Sequence, residues 1–227
     1  MLALKQALSL VSIKTLGGWQ PSDETGLEAW YKNQAGITLN GSDVSNCAAR
    51  SENSFDMRQN TASEQPAYNA STGALTFDKT ATQNLLVDGE ITLSGAFTIG
   101  IKLKADASNV TVLGAQGTAN EFFKITNSTT LRFKTDGTQV DITVNDGDLT
   151  DDNYLVVTRN SSNLVSLYVN GTLQTDTETL AGTANIDAIG VRKTDLNPYD
   201  GIISEVQIFD TESTALTANV NTYLSNL

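Results

Sequence analysis

From residue 27 onward, short runs place apolar residues on every second position, and Asp-Gly or Asn-Gly pairs separate many of them. In residues 97–104, Phe97, Ile99, Ile101 and Leu103 alternate with Thr98, Gly100, Lys102 and Lys104. Successive side chains of a strand point to opposite faces, so such a run builds one buried and one wet face. Comparable runs occupy 27–31, 74–78, 109–114, 121–126, 130–134, 139–144, 154–160, 164–169, 188–192 and 201–209. Thr, Val, Ile, Phe and Tyr supply their β-propensity. Asp136-Gly137, Asp146-Gly147, Asn170-Gly171 and Asp200-Gly201 tolerate the positive φ of tight turns. About a dozen short strands with such turns predict an all-β sandwich or barrel, which also hides its strand edges.

Residues 40–72 are rich in Asn, Ser, Gln and Ala, with weak periodicity. They predict a long loop region with short strands near 55–58. At the C-terminus, Ser213 or Thr214 can cap a short helix whose face carries Leu216, Val220 and Leu224. Residues 1–16 read as another short helix, with Leu4, Leu8 and Val11 on one face and Gly17-Gly18 as its stop. Trp19, Gln20 and Pro21 then form a hinge. This helix is basic, and an isolated helix of its length is marginal in water. Its apolar stripe needs a partner, either its own sandwich or another subunit. The expected division is an N-terminal helical anchor and hinge over 1–22, with Leu4, Leu8, Val11 and Trp19 as anchor residues, and one β domain over 23–227.

Composition narrows the chemistry. The net charge is −12 and the pI about 4.3, so the surface repels phosphate backbones and argues against nucleic-acid partners. Histidine is absent, which excludes a Ser–His–Asp triad and His-ligated zinc. The lone Cys47 cannot form an intrachain disulfide and reads as a small loop or core residue. The first residues lack the unbroken apolar run and cleavage pattern of a signal peptide, and no membrane insertion is expected.

Three segments carry a family resemblance. Leu27-Glu28-Ala29-Trp30-Tyr31 resembles the opening strand of laminin-G-like jelly rolls. Tyr154-Leu155-Val156-Val157-Thr158-Arg159, followed by Leu164-Val165-Ser166-Leu167-Tyr168-Val169-Asn170-Gly171, is similar to the family's L-Y-V-N-G hairpin. Tyr199-Asp200-Gly201-Ile202-Ile203-Ser204-Glu205-Val206-Gln207-Ile208-Phe209 resembles its closing strand, with Ser204 where Asp is common and Phe209 where Tyr is common. Together they resemble the concanavalin A-like lectin/glucanase domains. That implies a jelly-roll sandwich of two antiparallel sheets, flanked here by a short helix at each end. The short first helix ending in Gly-Gly-Trp is also similar to such domains among tailed-bacteriophage virion proteins. This resemblance implies a structural component of the virion surface (a capsid decoration, fibre or tail protein), present in many copies. Its first segment would meet other virion proteins, and its sandwich would meet surface glycans.

Since the family includes glucanases, catalysis has to be weighed. Retaining glycosidases need two carboxylates about 5–5.5 Å apart, and glucanase members carry them as E-x-D-x-x-E on one strand. That run does not occur here, and the chain is expected to be non-enzymatic. Ca²⁺ is the one cofactor in view, since loop carboxylates suit it. Asp146, Asp148, Asp151 and Asp152 are the candidate ligands. A sugar site needs an aromatic platform and planar hydrogen-bonding groups. Arg192, Asp195, Asn197 and Tyr199 supply both in one loop, although Tyr199 could instead cap the core. The alternative functions are a free-standing lectin and a degenerate glycoside hydrolase.

Overall fold

A computed structural model of the chain describes residues 18–227. The first strands are β1 (Leu27–Tyr31), β2 (Ile37–Asn40), β3 (Asp43–Cys47), β4 (Met57–Arg58), β5 (Ala67–Tyr68) and β6 (Leu75–Phe77). The long central strands follow: β7 (Leu85–Leu93), β8 (Phe97–Ala105), β9 (Val110–Gly114), β10 (Phe122–Asn127), β11 (Thr130–Thr135) and β12 (Thr138–Thr143). The last are β13 (Asp152–Arg159), β14 (Leu164–Val169), β15 (Thr172–Leu173), β16 (Glu178–Thr179), β17 (Ala184–Ile189) and β18 (Gly201–Phe209), then the helix α1 (Thr214–Leu224).

Every named strand pairing is antiparallel, and the pairings describe two layers. The front layer runs β12–β11–β10–β9–β17–β7–β4–β3–β2. In the back layer, β18 lies between β8 on one side and β1 with β6 on the other. Beyond β8 come β13 and β14, which carries β15 and β16. The short β5 joins β6 to β3 and so links the layers. Inward residues of both layers form one core: Phe97, Ile99, Ile101 and Leu103 of β8 meet Phe123, Ile125, Leu131 and Phe133 of β10 and β11. Phe123 and Phe133 stack at 4.9 Å.

The outward face of the back layer is covered. Leu216, Val220 and Leu224 of α1 pack with Val156 and Phe209. Ser213 caps the helix, accepting from the backbone N–H of Leu216 at 3.0 Å, as expected for a Ser at this position. Gly100 makes room beneath it, since a Cβ there would lie 2.5 Å from Val220 Cγ1.

Trp19, assigned above to the anchor, belongs to this covered face. Its ring lies 6.5 Å from Phe209 and edge-on to Tyr223 at 6.0 Å, and its Nε1 donates to Glu24 Oε1 at 2.7 Å. Pro21 is buried. Packing of Trp19 and Pro21 therefore starts before the expected boundary at residue 23, because the indole finds an aromatic surface on its own sandwich. Leu4, Leu8 and Val11 lie outside the described residues.

Two further expectations change. The region 40–72 is mainly loop, with the expected short strand at β4, but it also holds β3 and β5. Its amides are structural: Gln59 Nε2 donates to Asn84 Oδ1 at 2.8 Å, and Gln65 Nε2 to the Gln59 carbonyl at 2.7 Å. Strand β7 was not among the expected runs. Gly89, at φ +100°, interrupts its alternation, yet Leu85, Val87, Ile91 and Leu93 all reach the core. Cys47 is a buried core residue.

Candidate functional site

The outward face of the front layer carries a cross-strand row of polar residues. Thr111 of β9 pairs with Lys124 of β10, Lys124 with Arg132 of β11, and Arg132 with Asp141 of β12. Period two puts all four on the face away from the core, because Val110, Val112, Phe123, Ile125, Leu131, Phe133 and Ile142 point inward. A second row, Gly114–Phe122–Lys134–Gln139, runs beside it.

The loop after β17 folds onto these rows. Its backbone hydrogen-bonds to β9 and beyond, with Thr111 N–H donating to the Asn197 carbonyl at 2.8 Å and Lys193 N–H to the Ala115 carbonyl at 2.8 Å. Lys193, Thr194, Asp195 and Asn197 all have positive φ, between 34° and 67°, so the loop turns tightly enough to keep Arg192 and Asn197 together. Gly114 permits the approach, since a Cβ there would lie 2.7 Å from Arg192 Cβ. The Arg192 guanidinium then sits 4.2 Å above the centre of the Phe122 ring and donates through Nη2 to Asn197 Oδ1 at 2.7 Å. A guanidinium stacked on an aromatic face gains cation–π attraction and keeps its planar edge for hydrogen bonding.

Charge on this face is unbalanced. Arg132 grips Asp141 through two bonds, Nε–Oδ1 at 2.6 Å and Nη2–Oδ2 at 2.7 Å, which holds the Asp141 carboxyl below the usual range. Lys124 is only 5% exposed, and its Nζ donates to Asn109 Oδ1 at 2.6 Å. Burial pulls the Lys124 ammonium down from its ordinary pKa, and Arg192 and Arg132 push it further, with Asp141 opposing. Arg192 is also lowered, by burial and then by Arg132.

The structure brings Arg192 and Asn197 together, leaves Asp195 exposed beside them, and removes Tyr199 from the set. Tyr199 is fully buried, edge-on to Phe77 at 5.8 Å, with its phenol raised well above its ordinary pKa by burial. It cannot serve as a sugar platform, because its ring is part of the core. Phe122 under Arg192 holds the aromatic position on this face instead. The composition could have pointed to these residues: Phe122-x-Lys124 and Arg132-x-Lys134 put basic side chains on alternate positions of a strongly acidic chain.

The four calcium candidates are not brought together into one cluster. Among the described residues, no three His, Cys, Asp or Glu side chains gather where they could hold an ion. Asp148 instead turns its own loop, with Oδ1 accepting from Thr150 N–H at 2.8 Å and Thr150 Oγ1 at 2.6 Å. Asp146, Asp151 and Asp152 are exposed. Asp152 lines an open cleft of about 510 Å³ beside the end of α1, with Asn33, Asn69, Lys102 and Lys104.

A sequence model of the concanavalin A-like lectin/glucanases superfamily matches residues 78–219. This chain belongs to that family. Both rows of the front face, the 192–197 loop and most of α1 lie within the match. Among solved structures, the binding domain of Paraclostridial Mosquitocidal Protein 1 superposes with a TM-score of 0.62 at 12% identity, over 91% of this chain and 53% of that one. The ligand-binding domain of botulinum neurotoxin serotype D, solved with N-acetylneuraminic acid, superposes with a TM-score of 0.61 at 12% identity, over 88% and 51%. The chain thus spans about half the length of these two toxin domains. At such identity the likeness is one of fold. A search of curated proteins finds no match.

Proposed function

We propose that this chain is a non-catalytic, lectin-like display domain, which meets surface glycans with its front face and is carried on a larger assembly by residues 1–17. The assembly is a tailed-phage virion in which the protein is a multi-copy surface component. The observation that carries the reading is the placement of the two faces. Trp19 packs against the helix-covered back, so the preceding segment joins the domain there, opposite the front rows of Lys124, Arg132 and Phe122. Attachment from the back leaves the front open.

The non-catalytic part is supported by the site's chemistry. The carboxylate in the front row, Asp141, is committed to Arg132. Stacked Arg192 and Asn197 offer planar hydrogen-bonding groups of the kind that recognise sugar hydroxyls.

A glycan array probed with the full chain, with and without EDTA, tests the binding. Saturable binding that is insensitive to EDTA and weakened by Arg192→Ala supports the reading, and no binding to any glycan overturns it. Hydrolysis of β-glucan by the purified protein would overturn the non-catalytic assignment. Removal of residues 1–17, with the circular dichroism of a folded β domain retained, should abolish incorporation into particles. Normal incorporation would defeat the display role.

A further inference from the structure

We infer that Lys124 and Arg192 form a recessed site for the anionic group of an acidic sugar, a carboxylate or a sulfate. The inference rests on the glycan-binding reading above and names the class of glycan.

A buried ammonium is costly unless a counter-charge offsets its lost hydration. Lys124 is almost wholly buried, and its ammonium donates to the neutral amide of Asn109. The residue opposite it on β11 is another cation, Arg132, an arrangement that neighbouring strands normally avoid. The nearby carboxylate, Asp141, has both oxygens engaged by Arg132. Among the described residues, the Lys124 ammonium is thus held by a neutral amide, and Asp141 offsets its cationic neighbours only in part.

The surrounding polar atoms are unfinished in the same place. Among the described residues, Arg192 Nε, Thr111 Oγ1 and Thr126 Oγ1 are buried without a hydrogen-bond partner. Thr111 is the register partner of Lys124, and Thr126 lies two residues beyond Lys124 on β10. Arg192 donates to Asn197, whose carbonyl accepts from Thr111 N–H, and Thr111 faces Lys124 across the ladder, so the cations share one neighbourhood. Their donor types suit an anion: an ammonium, the Nε edge of a guanidinium, and hydroxyls that can donate. An anion there would satisfy groups that the fold leaves unmatched. In a chain of net charge −12, such a patch also selects locally against the general repulsion of acidic ligands.

The test is calorimetric titration of the full chain with three oligosaccharide probes of matched length: oligogalacturonate, a sulfated galactan fragment, and a neutral galactan fragment. At least one acidic probe should bind tenfold or more tightly than the neutral one, with affinity falling as salt rises. The uronate and sulfate arms decide which anion the site takes. Lys124→Met should reduce the preference for the acidic over the neutral probe at least tenfold, and its melting temperature should not fall. Arg192→Gln should weaken the acidic probe as well. Equal binding of acidic and neutral probes overturns the anion site but leaves the glycan reading standing. Undiminished acidic binding by Lys124→Met also overturns it. Failure of all three probes, with binding to other neutral glycans on an array, likewise separates the two claims against the anion site.

Discussion

Trp30 Nε1 donates to Glu205 Oε1 at 2.6 Å, so the first and last strands of the sandwich are tied by a buried side-chain bond as well as by their shared ladder. The other oxygen, Oε2, accepts from the backbone N–H of Asn33 at 2.8 Å, and Gln207 Nε2 donates to Oε1 at 3.1 Å. Glu205 is 1% exposed. Glu205→Ala strands these donors, at about 1–3 kcal/mol for each buried group left unmatched. Urea unfolding should show that loss, and Glu205→Gln should recover part of it.

The same residue gives a pH dependence. Burial raises the Glu205 carboxyl above its ordinary value, and the hydrogen bonds from Asn33, Trp30 and Gln207 oppose that rise only in part. The folded protein therefore holds the proton more tightly than the unfolded chain. This contribution to stability is fully present below the unfolded value of about 4.3 and is lost as pH rises through the folded value. Glu205→Gln should gain on the wild type as pH is raised from 4 to 8. Parallel stability curves for the two proteins would refute this account.

Lys124 is expected to cost stability. Its ammonium is lowered by burial, then by Arg192 and Arg132, so the folded state disfavours the charged form. The penalty holds at neutral pH, eases as pH rises through the folded value, and is gone above the unfolded value of about 10.4. Like charges opposite one another on neighbouring strands add a cost of about 0.2–1 kcal/mol. Lys124→Met should therefore be at least as stable as the wild type at pH 7, with the difference shrinking towards pH 10. Thermal melts at the two pH values measure it.

Arg159 illustrates a buried cation that is matched. It is fully buried, and it donates through Nε to the Gly95 carbonyl at 2.8 Å, through Nη1 to Gly182 at 2.7 Å and through Nη2 to Leu93 at 3.0 Å. Its guanidinium also lies 4.8 Å from the centre of the Phe97 ring. It thus pins the β7–β8 turn to the segment before β17. Arg159→Met should cost about 4 kcal/mol or more, since it breaks three hydrogen bonds from a charged group, each contributing about 1.5–3 kcal/mol. Arg159→Lys should not rescue it, because an ammonium cannot reach three divergent carbonyls with one planar fork. Denaturant titration compares the variants.

Cys47 should be inert in the folded protein. Burial pushes its thiol up to about 12, with Asp56 and Glu205 adding to the effect. At pH 8 it should react with a thiol reagent only as fast as the domain opens, and promptly in urea. Rapid stoichiometric labelling of the native protein would contradict its place in the core.

Much of the architecture could be read from the order of residues. The alternation of 97–104 predicted which side chains of β8 face inward, and Leu216, Val220 and Leu224 marked the buried face of α1. It worked because period two and period 3.6 are properties of the backbone, and burial only has to choose one face. Where polar residues fill buried positions, as with Gln59 and Gln65, or a glycine kinks a strand, as at Gly89, the signal is lost and β3, β5 and β7 go unseen. The site was legible only in part. Arg192 and Asn197 stand five residues apart in one loop, so their pairing could be inferred. Tyr199, two residues further on, turns inward instead, and no local pattern dictates that choice. Lys124 lies far from Arg192 in sequence, and its meeting with that loop depends on β9 pairing with β10 on one side and with the β17 segment on the other. The sequence by itself determined the layers, the faces and the acidic background. Only the tertiary structure decided that Lys124 would be covered beside two other cations, because burial of an outward-facing strand residue depends on what distant chain folds over it.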